Sequence, residues 1–446
     1  MRRAAIVFGV GIVAAHLWLN TGGDSRVDAQ QDSWTTAAAQ KHGLRLVEGR
    51  DPGGPPAYPA AAGDLLFFTN SGTTFGATNT RNSVVVIDAR SKKPIAVSGI
   101  ETAWSEGFVS HGIGVSPDGK YVYLPGQAPN RSKNPSGTLV LDARTLKIAQ
   151  IIASRGERPH HVKNFVDWTG TPRVLVEEFN WTNSAPNGQG FYVLDFKDRN
   201  KVLGGMTPGE LRGNPYTGFV APDGRYLYFG VVAPDVSIRG TVNGWLAKID
   251  MQTWKVVQHL AIPGDPTWTV FSQDGKFAWV SMSYGNKVLK IERAAGGGLD
   301  KIAAEVPTGP GPYGLAMNID DTELWVADKG EGTSRAQRKT TVTVSDAASG
   351  RLTRTIETGC VTNDHLILSP EGGEMWAMCN GSQEIVVLDT RAYAVKTRIP
   401  MPNQGDAHGG SFVAYRSGPG GLIAEVVSDQ SGLQGSARAA ARKRVP

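Results

Sequence analysis

Histidine is the residue type in this sequence best suited to chemistry, and five histidines follow one repeated pattern: His111, His160, His161, His365 and His408. Neutral imidazole offers a lone pair to zinc, copper, iron or nickel. The second ring nitrogen of such a ligand is usually held by a nearby carboxylate or carbonyl. The five histidines are therefore candidate metal ligands, and Asp364 and Asp406 are candidate partners for their second nitrogens.

The pattern is a repeat that begins at His111, passes through a Ser-Pro-Asp-Gly turn and continues into Lys-Tyr-Val-Tyr-Leu. Degraded copies begin at Tyr216, Thr267, Tyr313 and Asp364. Each copy predicts an apolar strand A, a tight turn and an alternating aromatic strand B. Because only some copies begin with histidine, the pattern indicates a site on one side of a ring. The remaining histidines, at positions 16, 42 and 259, do not fit it.

A third strand, C, ends in an acidic residue seven times along the chain, at 84–88, 138–142, 191–195, 246–250, 288–292, 342–346 and 385–389. A fourth, more polar strand, D, follows each one. Four antiparallel strands repeating about every 50 residues match a β-propeller blade. The sequence thus predicts an all-β, single-domain propeller over residues 57–430 with seven blades. Eight blades are the alternative, because a strand pair after His408 and an apolar segment at 65–68 must still be placed.

The blade geometry predicts where the histidines lie. In an antiparallel blade the start of strand A and the end of strand B share one edge, and strand A is innermost. The histidines should therefore line one mouth of the central channel, beneath long polar B–C loops. In a regular strand only one of His160 and His161 faces the axis, unless the turn at Pro159 rotates both inward. The alternative role for each histidine is to cap its strand and bond a neighbouring blade.

The two cysteines of the chain are placed close together by the same geometry. Cys360 precedes a strand A and Cys379 ends the following strand B. A disulfide beside His365 is one outcome in an exported protein, and thiolate ligation of a metal is the other.

The strand, Pro-Asp-Gly turn, Tyr-Val strand and Val-Ile-Asp strand together resemble the YVTN family of β-propellers over roughly residues 57 to 427. The histidine-lined mouth is similar to the copper propellers of nitrous oxide reductase and the thiocyanate dehydrogenases. That resemblance implies that the five histidines bind copper in an oxidoreductase acting on a small inorganic or sulfur- or nitrogen-containing compound. The mouth also resembles the d-type haem propeller of nitrite reductases, so d-type haem or another divalent metal is the alternative cofactor.

Other resemblances imply other roles for the polar residues of the mouth. In a streptogramin-lyase-like propeller, histidines, a glutamate and a metal ion abstract a proton. Glu178, or else Glu177 or Glu331, would be that base. Lys163 and Lys329, with Arg158 and Arg335, would position an anionic substrate. A non-enzymatic binding or scaffold propeller, using loops around Trp104 and Trp181, is the third class of function.

The chain ends predict an exported protein. Residues 1–29 combine a basic start, an apolar run and small residues, as in a signal peptide, and no later segment predicts a membrane span. Residues 30–56 form an N-terminal extension, and residues 431–446 a basic tail expected to be disordered. The net charge of +5 lies in these ends, so the neutral propeller excludes a nucleic-acid partner. We expect a periplasmic or secreted protein that binds a small molecule and exchanges electrons with a periplasmic carrier.

Overall fold

The computed structural model describes residues 46–47, 52–72, 83–98, 109–127, 137–156, 158–179, 188–232, 244–331, 341–402 and 405–444. The predicted signal peptide lies outside these residues, as do His42, Trp104, Trp181 and Arg335. Within the described residues, no helix is both long enough and apolar enough to cross a membrane.

Seven antiparallel sheets form the seven blades of a β-propeller, which confirms the predicted fold and blade number. Blade 1 contains strand A in two pieces, β5 (Val109–Ser110) and β6 (Gly114–Val115), then β7 (Tyr121–Gln127), β8 (Gly137–Asp142) and β9 (Ile148–Ala153). Blade 2 contains β10 (Arg158–Val166), β11 (Pro172–Phe179), β12 (Phe191–Asp195) and β13 (Lys201–Met206). Blade 3 contains β14 (Asn214–Val220), β15 (Tyr226–Val232), β16 (Gly244–Asp250) and β17 (Lys255–Ile262).

The next three blades follow the same order. Blade 4 contains β18 (Pro266–Phe271), β19 (Phe277–Met282), β20 (Lys287–Glu292) and β21 (Lys301–Pro307). Blade 5 contains β22 (Pro312–Met317), β23 (Glu323–Asp328), β24 (Thr341–Asp346) and β25 (Leu352–Glu357). Blade 6 contains β26 (Asn363–Leu368), β27 (Glu374–Cys379), β28 (Glu384–Asp389) and β29 (Ala394–Pro400).

Blade 7 closes the ring with strands from both ends of the chain. Its strand A is β30 (Gly410–Gly418), and its outer strands are β2 (Leu65–Ser71), β3 (Ser83–Asp88) and β4 (Lys93–Ser98). A short strand, β1 (Leu46–Val47), pairs in parallel with the outer edge of β4. This strand extends the seventh blade.

The strand that was surplus to seven blades, β31 (Gly421–Asp429), pairs with the inner side of β30 and so approaches the channel axis. The end of β31 forms hydrogen bonds with three other blades. Ser428 Oγ donates to the Leu368 carbonyl of blade 6 at 2.6 Å, and Gln430 Nε2 donates to the Ile113 carbonyl of blade 1 at 3.0 Å. The Asn164 amide of blade 2 donates to the Asp429 carboxylate at 3.4 Å. Residues 428–430 therefore form a floor below the histidines, because their partners Ile113, Asn164 and Leu368 follow His111, His161 and His365 by two or three residues.

The C-terminal tail differs from the expected disordered segment. Strand β32 (Gly432–Leu433) pairs with β31, and a helix, α2 (Gly435–Ala441), follows it. An earlier short helix, α1 (Pro208–Leu211), links blades 2 and 3. Ala441 is buried and Ala437 packs against the core between blades 6 and 7. The basic residues suggested solvation, but the alanines between them are good helix formers with a small apolar face.

Burial explains the sequence pattern of the strands. Strand B side chains such as Trp325, Trp376 and Phe229 are fully buried because each blade packs its two faces against its neighbours. Strands buried on both faces show little polar alternation. The outermost strand β29 alternates exposed and half-buried side chains instead, which accounts for the more polar D segments.

Candidate functional site

Strand A of blades 2 to 6 is interrupted by an irregularity in pairing at the same end of the channel. In blade 2, Pro159 pairs with Glu178 and Val162 with Val176, so His160 and His161 together oppose Glu177. An extra residue of this kind breaks strand alternation. The rings of His160 and His161 consequently lie 4.0 Å apart between centroids on one side of the strand. The strand is thus irregular after Pro159, and both side chains lie together, which is the alternative that the sequence left open.

His111 enters the site through a break in strand A of blade 1. Its amide donates to the Pro125 carbonyl at 3.1 Å, and Gly112 follows with a φ of 144°. A Cβ at position 112 would lie 2.7 Å from His161 Nδ1 and 2.9 Å from the His160 carbonyl oxygen. Only glycine allows blade 1 to approach the histidine pair of blade 2 this closely.

The five predicted histidines meet at one mouth of the channel. His365 and His408, from blades 6 and 7, have ring centroids 4.7 Å apart, and His408 and His111 are 4.2 Å apart. Candidate ligand nitrogens of His111, His160 and His161 lie within 4.8 Å of one another, as do those of His161, His365 and His408. We call these sets the first and second triads. His161 belongs to both.

Several ring nitrogens of the cluster are buried and have no hydrogen-bond partner among the described residues. His160, His161, His365 and His408 are fully buried, whereas His111 is partly exposed. His160 Nδ1 donates to the Tyr216 carbonyl at 3.0 Å, which leaves the lone pair on Nε2. That Nε2, and both nitrogens of His161 and His365, have no hydrogen-bond partner in the described part of the chain. Each such atom costs about 1–3 kcal/mol, which a bound metal ion would offset.

Burial lowers the pKa of all five imidazoles well below the usual value, and neighbouring positive or ionisable groups lower most of them further. The histidines are therefore neutral near pH 7. Neutral imidazole is the form that binds a metal ion, so the donor set fits a borderline cation such as copper or zinc.

His408 is held by a buried polar group that sequence reasoning missed. The Asn380 side-chain amide nitrogen lies 2.7 Å from His408 Nδ1 and donates to Asp364 at 2.6 Å. The same Asp364 carboxylate lies 3.3 Å from His408 Nδ1 and 3.0 Å from Lys329 Nζ. Asp364 thus lies where a partner for a ligand histidine was expected. The sequence does not point to Asn380, because an asparagine directly after a strand B looks like an ordinary loop residue.

The two lysines expected to hold an anionic substrate are bound to protein groups. Lys163 Nζ donates to Glu177 at 2.5 Å, to Thr217 at 3.1 Å and to the Gly218 carbonyl at 3.3 Å, which uses all three ammonium protons. Lys329 Nζ lies 3.3 Å from the Glu331 carboxylate as well as contacting Asp364. Both side chains are buried. This geometry indicates that both lysines form structural ion pairs beside the histidines.

Glu178, the expected general base, occupies the opposite face of β11 from Glu177. Its carboxylate accepts hydrogen bonds from Ser154 Oγ and from the amides of Arg155 and Gly156. Burial raises its pKa to about 7. Glu177 is the carboxylate beside the site, 3.9 Å from His160 Nδ1, and burial raises its pKa too. The structure thus places Glu177, and not Glu178, beside the histidines, because the bulge after Pro159 sets Glu177 opposite His160 and His161.

Asp406 and the two cysteines support the site from further away. Asp406, two residues before His408, is buried, and its backbone pairs with that of Gly72. Cys360 and Cys379 form a buried disulfide with 5.4 Å between their Cα atoms. The bond joins the segment before Asp364 to the strand that ends at Asn380. It leaves no thiolate for metal ligation.

Aromatic side chains pack beside both triads. The Trp268 ring lies 4.5 Å from His365, and Tyr313 lies 5.6 Å from His365. The Phe179 ring lies 3.8 Å from His160. Tyr216 and Tyr313 share a hydrogen bond between their hydroxyl groups. Blades 3, 4 and 5, which have no histidine at this position, therefore supply Tyr216, Trp268 and Tyr313, an aromatic wall with two hydroxyl groups.

Comparison with known proteins supports the propeller fold. No protein-family model and no curated protein sequence matches the chain, so membership of the YVTN family stays a prediction. Solved propellers do match in structure. Kuenenia stuttgartiensis hydrazine synthase is 18% identical with a TM-score of 0.54 and covers 77% of this chain and 95% of its own. Pseudomonas aeruginosa periplasmic gluconolactonase is 15% identical with a TM-score of 0.57, over 78% of this chain and 99% of its own.

A third solved propeller, the dihydro-heme d1 dehydrogenase NirN in complex with its ligand DHE, is 14% identical with a TM-score of 0.50. It covers 80% of this chain and 76% of its own. At these identities the matches show the propeller fold. They are compatible with an enzyme, and they leave the chemistry to the residues of the mouth.

Proposed function

We propose that this chain is an exported, copper-dependent oxidoreductase that acts on a small inorganic or sulfur- or nitrogen-containing compound. One observation carries the proposal. Five imidazoles from four blades meet at one mouth, and their candidate ligand nitrogens form two triads within 4.8 Å. A strand cap needs one hydrogen bond to a neighbouring blade, whereas both ring nitrogens of His161 and His365 lack a partner in the part of the chain that the structure describes.

Copper is the metal that this donor set favours. All the ligands are imidazoles, and Cu²⁺ has the highest affinity of the common divalent ions for such nitrogen sites. The rings also pack directly against one another, with centroids 4.4 Å apart for His111 and His160 and 4.0 Å apart for His160 and His161. Contact of this kind suits ions shared between neighbouring side chains better than a haem macrocycle between them. Bound copper would supply one-electron chemistry, with a periplasmic electron carrier as partner.

The protein groups would bind and orient the substrate. His111 is the one partly exposed histidine of the five, so a small compound would enter on its side of the mouth. The floor of residues 428–430 closes the channel below. Tyr216, Tyr313 and Trp268 would then form an apolar wall that excludes water around the bound compound. The buried ion pairs of Lys163 and Lys329 would hold the aromatic wall and the second triad in position.

A metal-dependent lyase or hydrolase is the second candidate function. The Glu177 carboxylate is fully buried beside His160, and burial raises its pKa toward the range useful for a general base. Zinc would support such chemistry without any electron carrier. Zinc-loaded protein that is active without an electron acceptor would favour this candidate over the copper oxidoreductase.

Metal content is the direct test of the proposal. The full chain, exported with copper in the medium, should retain stoichiometric copper after desalting, with a Cu²⁺ signal in electron paramagnetic resonance. It should oxidise or reduce members of a panel of small sulfur and nitrogen anions with a dye or a soluble cytochrome as electron partner. A variant with His111→Ala and His408→Ala together should lose most of the copper.

His259→Ala is the matched control, because His259 lies on the outer strand β17 and should leave the copper content unchanged. Negligible copper in the wild-type protein, even after incubation with Cu²⁺, would refute the proposal. A strong visible absorption band of haem would instead favour d-type haem, the alternative cofactor.

A further inference from the structure

The two triads share a single side chain. The first consists of His111, His160 and His161, and the second of His161, His365 and His408. Five separate ligands around a single ion would bring all five donor atoms together. The triads instead divide the cluster at His161, with blades 1 and 2 on one side and blades 6 and 7 on the other.

The hydrogen bonds of the other histidines show what a single-metal ligand looks like here. A histidine that binds one ion through one nitrogen usually has the other held by a carbonyl or carboxylate. His160 follows this rule through the Tyr216 carbonyl, and His408 through the Asp364 carboxylate. His161 is fully buried, and neither of its nitrogens has a hydrogen-bond partner among the described residues. His365 is also unsatisfied at both nitrogens, but it belongs to one triad only.

The surroundings of the two triads differ as well. The first includes His111, which is partly exposed, whereas all three members of the second are fully buried. Near the second triad, Asp364 and Asn380 are braced by the buried disulfide that joins Cys360 to Cys379. The first triad is thus open to the mouth, and the second is enclosed.

We infer that the mouth holds two metal ions, one in each triad, with His161 as a bridging ligand that gives one nitrogen to each ion. The first-triad ion faces the substrate, and the second-triad ion is enclosed. This inference rests on the proposed function. Bridging requires His161 as an imidazolate, so its remaining nitrogen–hydrogen bond breaks when the second ion binds, and the proton leaves to solvent.

Copper counting on single-site variants tests this arrangement. Metal-free full-length protein is loaded with excess Cu²⁺ alone and desalted, and copper per chain is measured by mass spectrometry. The wild-type protein should hold two ions. His111→Ala and His365→Ala should each hold one, a twofold loss, because each removes a ligand from a different triad. The double variant should hold none. His259→Ala should still hold two, and circular dichroism should show that each variant is folded.

The shared imidazolate has its own signature. Two Cu²⁺ ions joined by one imidazolate couple magnetically, so the low-temperature spin count of the wild-type protein should fall below its copper content. In His111→Ala and His365→Ala, which keep one ion, spin count and copper content should agree.

The outcomes separate this inference from the proposed function. One copper per chain in the wild-type protein, lost in both single variants, would overturn the two-ion arrangement and leave a copper protein. Two copper ions with a full spin count would overturn the bridge. No copper in any variant would overturn the proposed function itself.

Discussion

His160 Nδ1 donates to the carbonyl oxygen of Tyr216, which occupies the corresponding position in the next blade. This 3.0 Å contact ties blade 2 to blade 3 and fixes the tautomer of His160. Since Nδ1 carries the proton, the lone pair lies on Nε2. One hydrogen bond therefore sets both the packing of two blades and the orientation of a candidate ligand.

Two substitutions should separate these roles. In His160→Asn the side-chain amide can replace Nδ1 as donor to Tyr216, but it cannot replace Nε2. We expect it to lose copper from the first triad with little loss of stability. In His160→Ala both functions are lost, and the free energy of unfolding should be about 1–2 kcal/mol lower than that of His160→Asn. Copper analysis and urea unfolding measure the two effects; equal stability of the variants would contradict the interblade role.

Gly112→Ala should disturb the cluster without removing a ligand. The new Cβ would meet His161 Nδ1 at 2.7 Å, on a backbone with a φ of 144°. We expect a loss of about 1–3 kcal/mol in stability and a clear loss of bound copper. Gly63→Ala is the matched control, because Gly63 also has a positive φ, 96°, but its Cβ would meet nothing within 4 Å. It should lose some stability and no copper. Similar copper loss in both would contradict the steric account.

Asn380→Ala should weaken the second triad by removing the amide between His408 and Asp364. Loss of such a supporting group typically lowers metal affinity by roughly 10–100-fold. Competition against a copper chelator measures the change. Asn318→Ala, in an exposed turn of blade 5, is the control. An unchanged affinity in Asn380→Ala would show that the amide does not orient His408.

Replacing Cys360 and Cys379 with serine should lower stability, because the disulfide closes a loop with a sequence separation of 19. A loop of this size corresponds to about 3 kcal/mol of unfolding free energy. Since the bond braces Asp364 and Asn380, copper loss should be greater in the second triad than in the first. Urea unfolding and the copper content of the double variant with and without His111→Ala check both effects. A double variant as stable as the wild type would contradict this role.

Asp328 predicts a pH dependence of stability. Burial raises its pKa to about 7 from the ordinary 3.8, although Thr341 and Thr343 donate to its carboxylate. The folded protein thus keeps a proton that the unfolded chain releases between these values. Its contribution to stability is therefore complete below pH 4 and is lost as the pH rises to 7. The loss amounts to at most about 4 kcal/mol.

Asp328→Asn should remove that dependence, so its gain over the wild type in unfolding free energy should be larger at pH 8 than at pH 5. Urea unfolding at the two pH values measures it. Asp198→Asn, at an exposed turn, should follow the wild-type profile. Parallel profiles for Asp328→Asn and the wild type would show that this carboxyl does not titrate in the folded range.

The sequence by itself determined the fold and the location of the site. Repetition of strand A, a Pro-Asp-Gly turn, strand B and an acidic strand end defines a blade, and seven acidic strand ends favour seven blades over eight. Alignment of the copies then places His111, His160, His365 and His408 at one end of their strands, because strand direction alternates regularly within a blade. The same regularity places Cys360 near Cys379, and the structure decides for the disulfide over thiolate ligation of a metal.

Only the tertiary structure decided which neighbours of the histidines take part. The bulge after Pro159 brings both His160 and His161 into the mouth and selects Glu177 instead of Glu178, since one unpaired residue reverses the side-chain alternation. Asn380 and the floor at Gln430 come from distant parts of the chain, and a helix replaces the expected disordered tail. These features depend on contacts between distant residues, and such contacts do not produce a repeating pattern in the sequence.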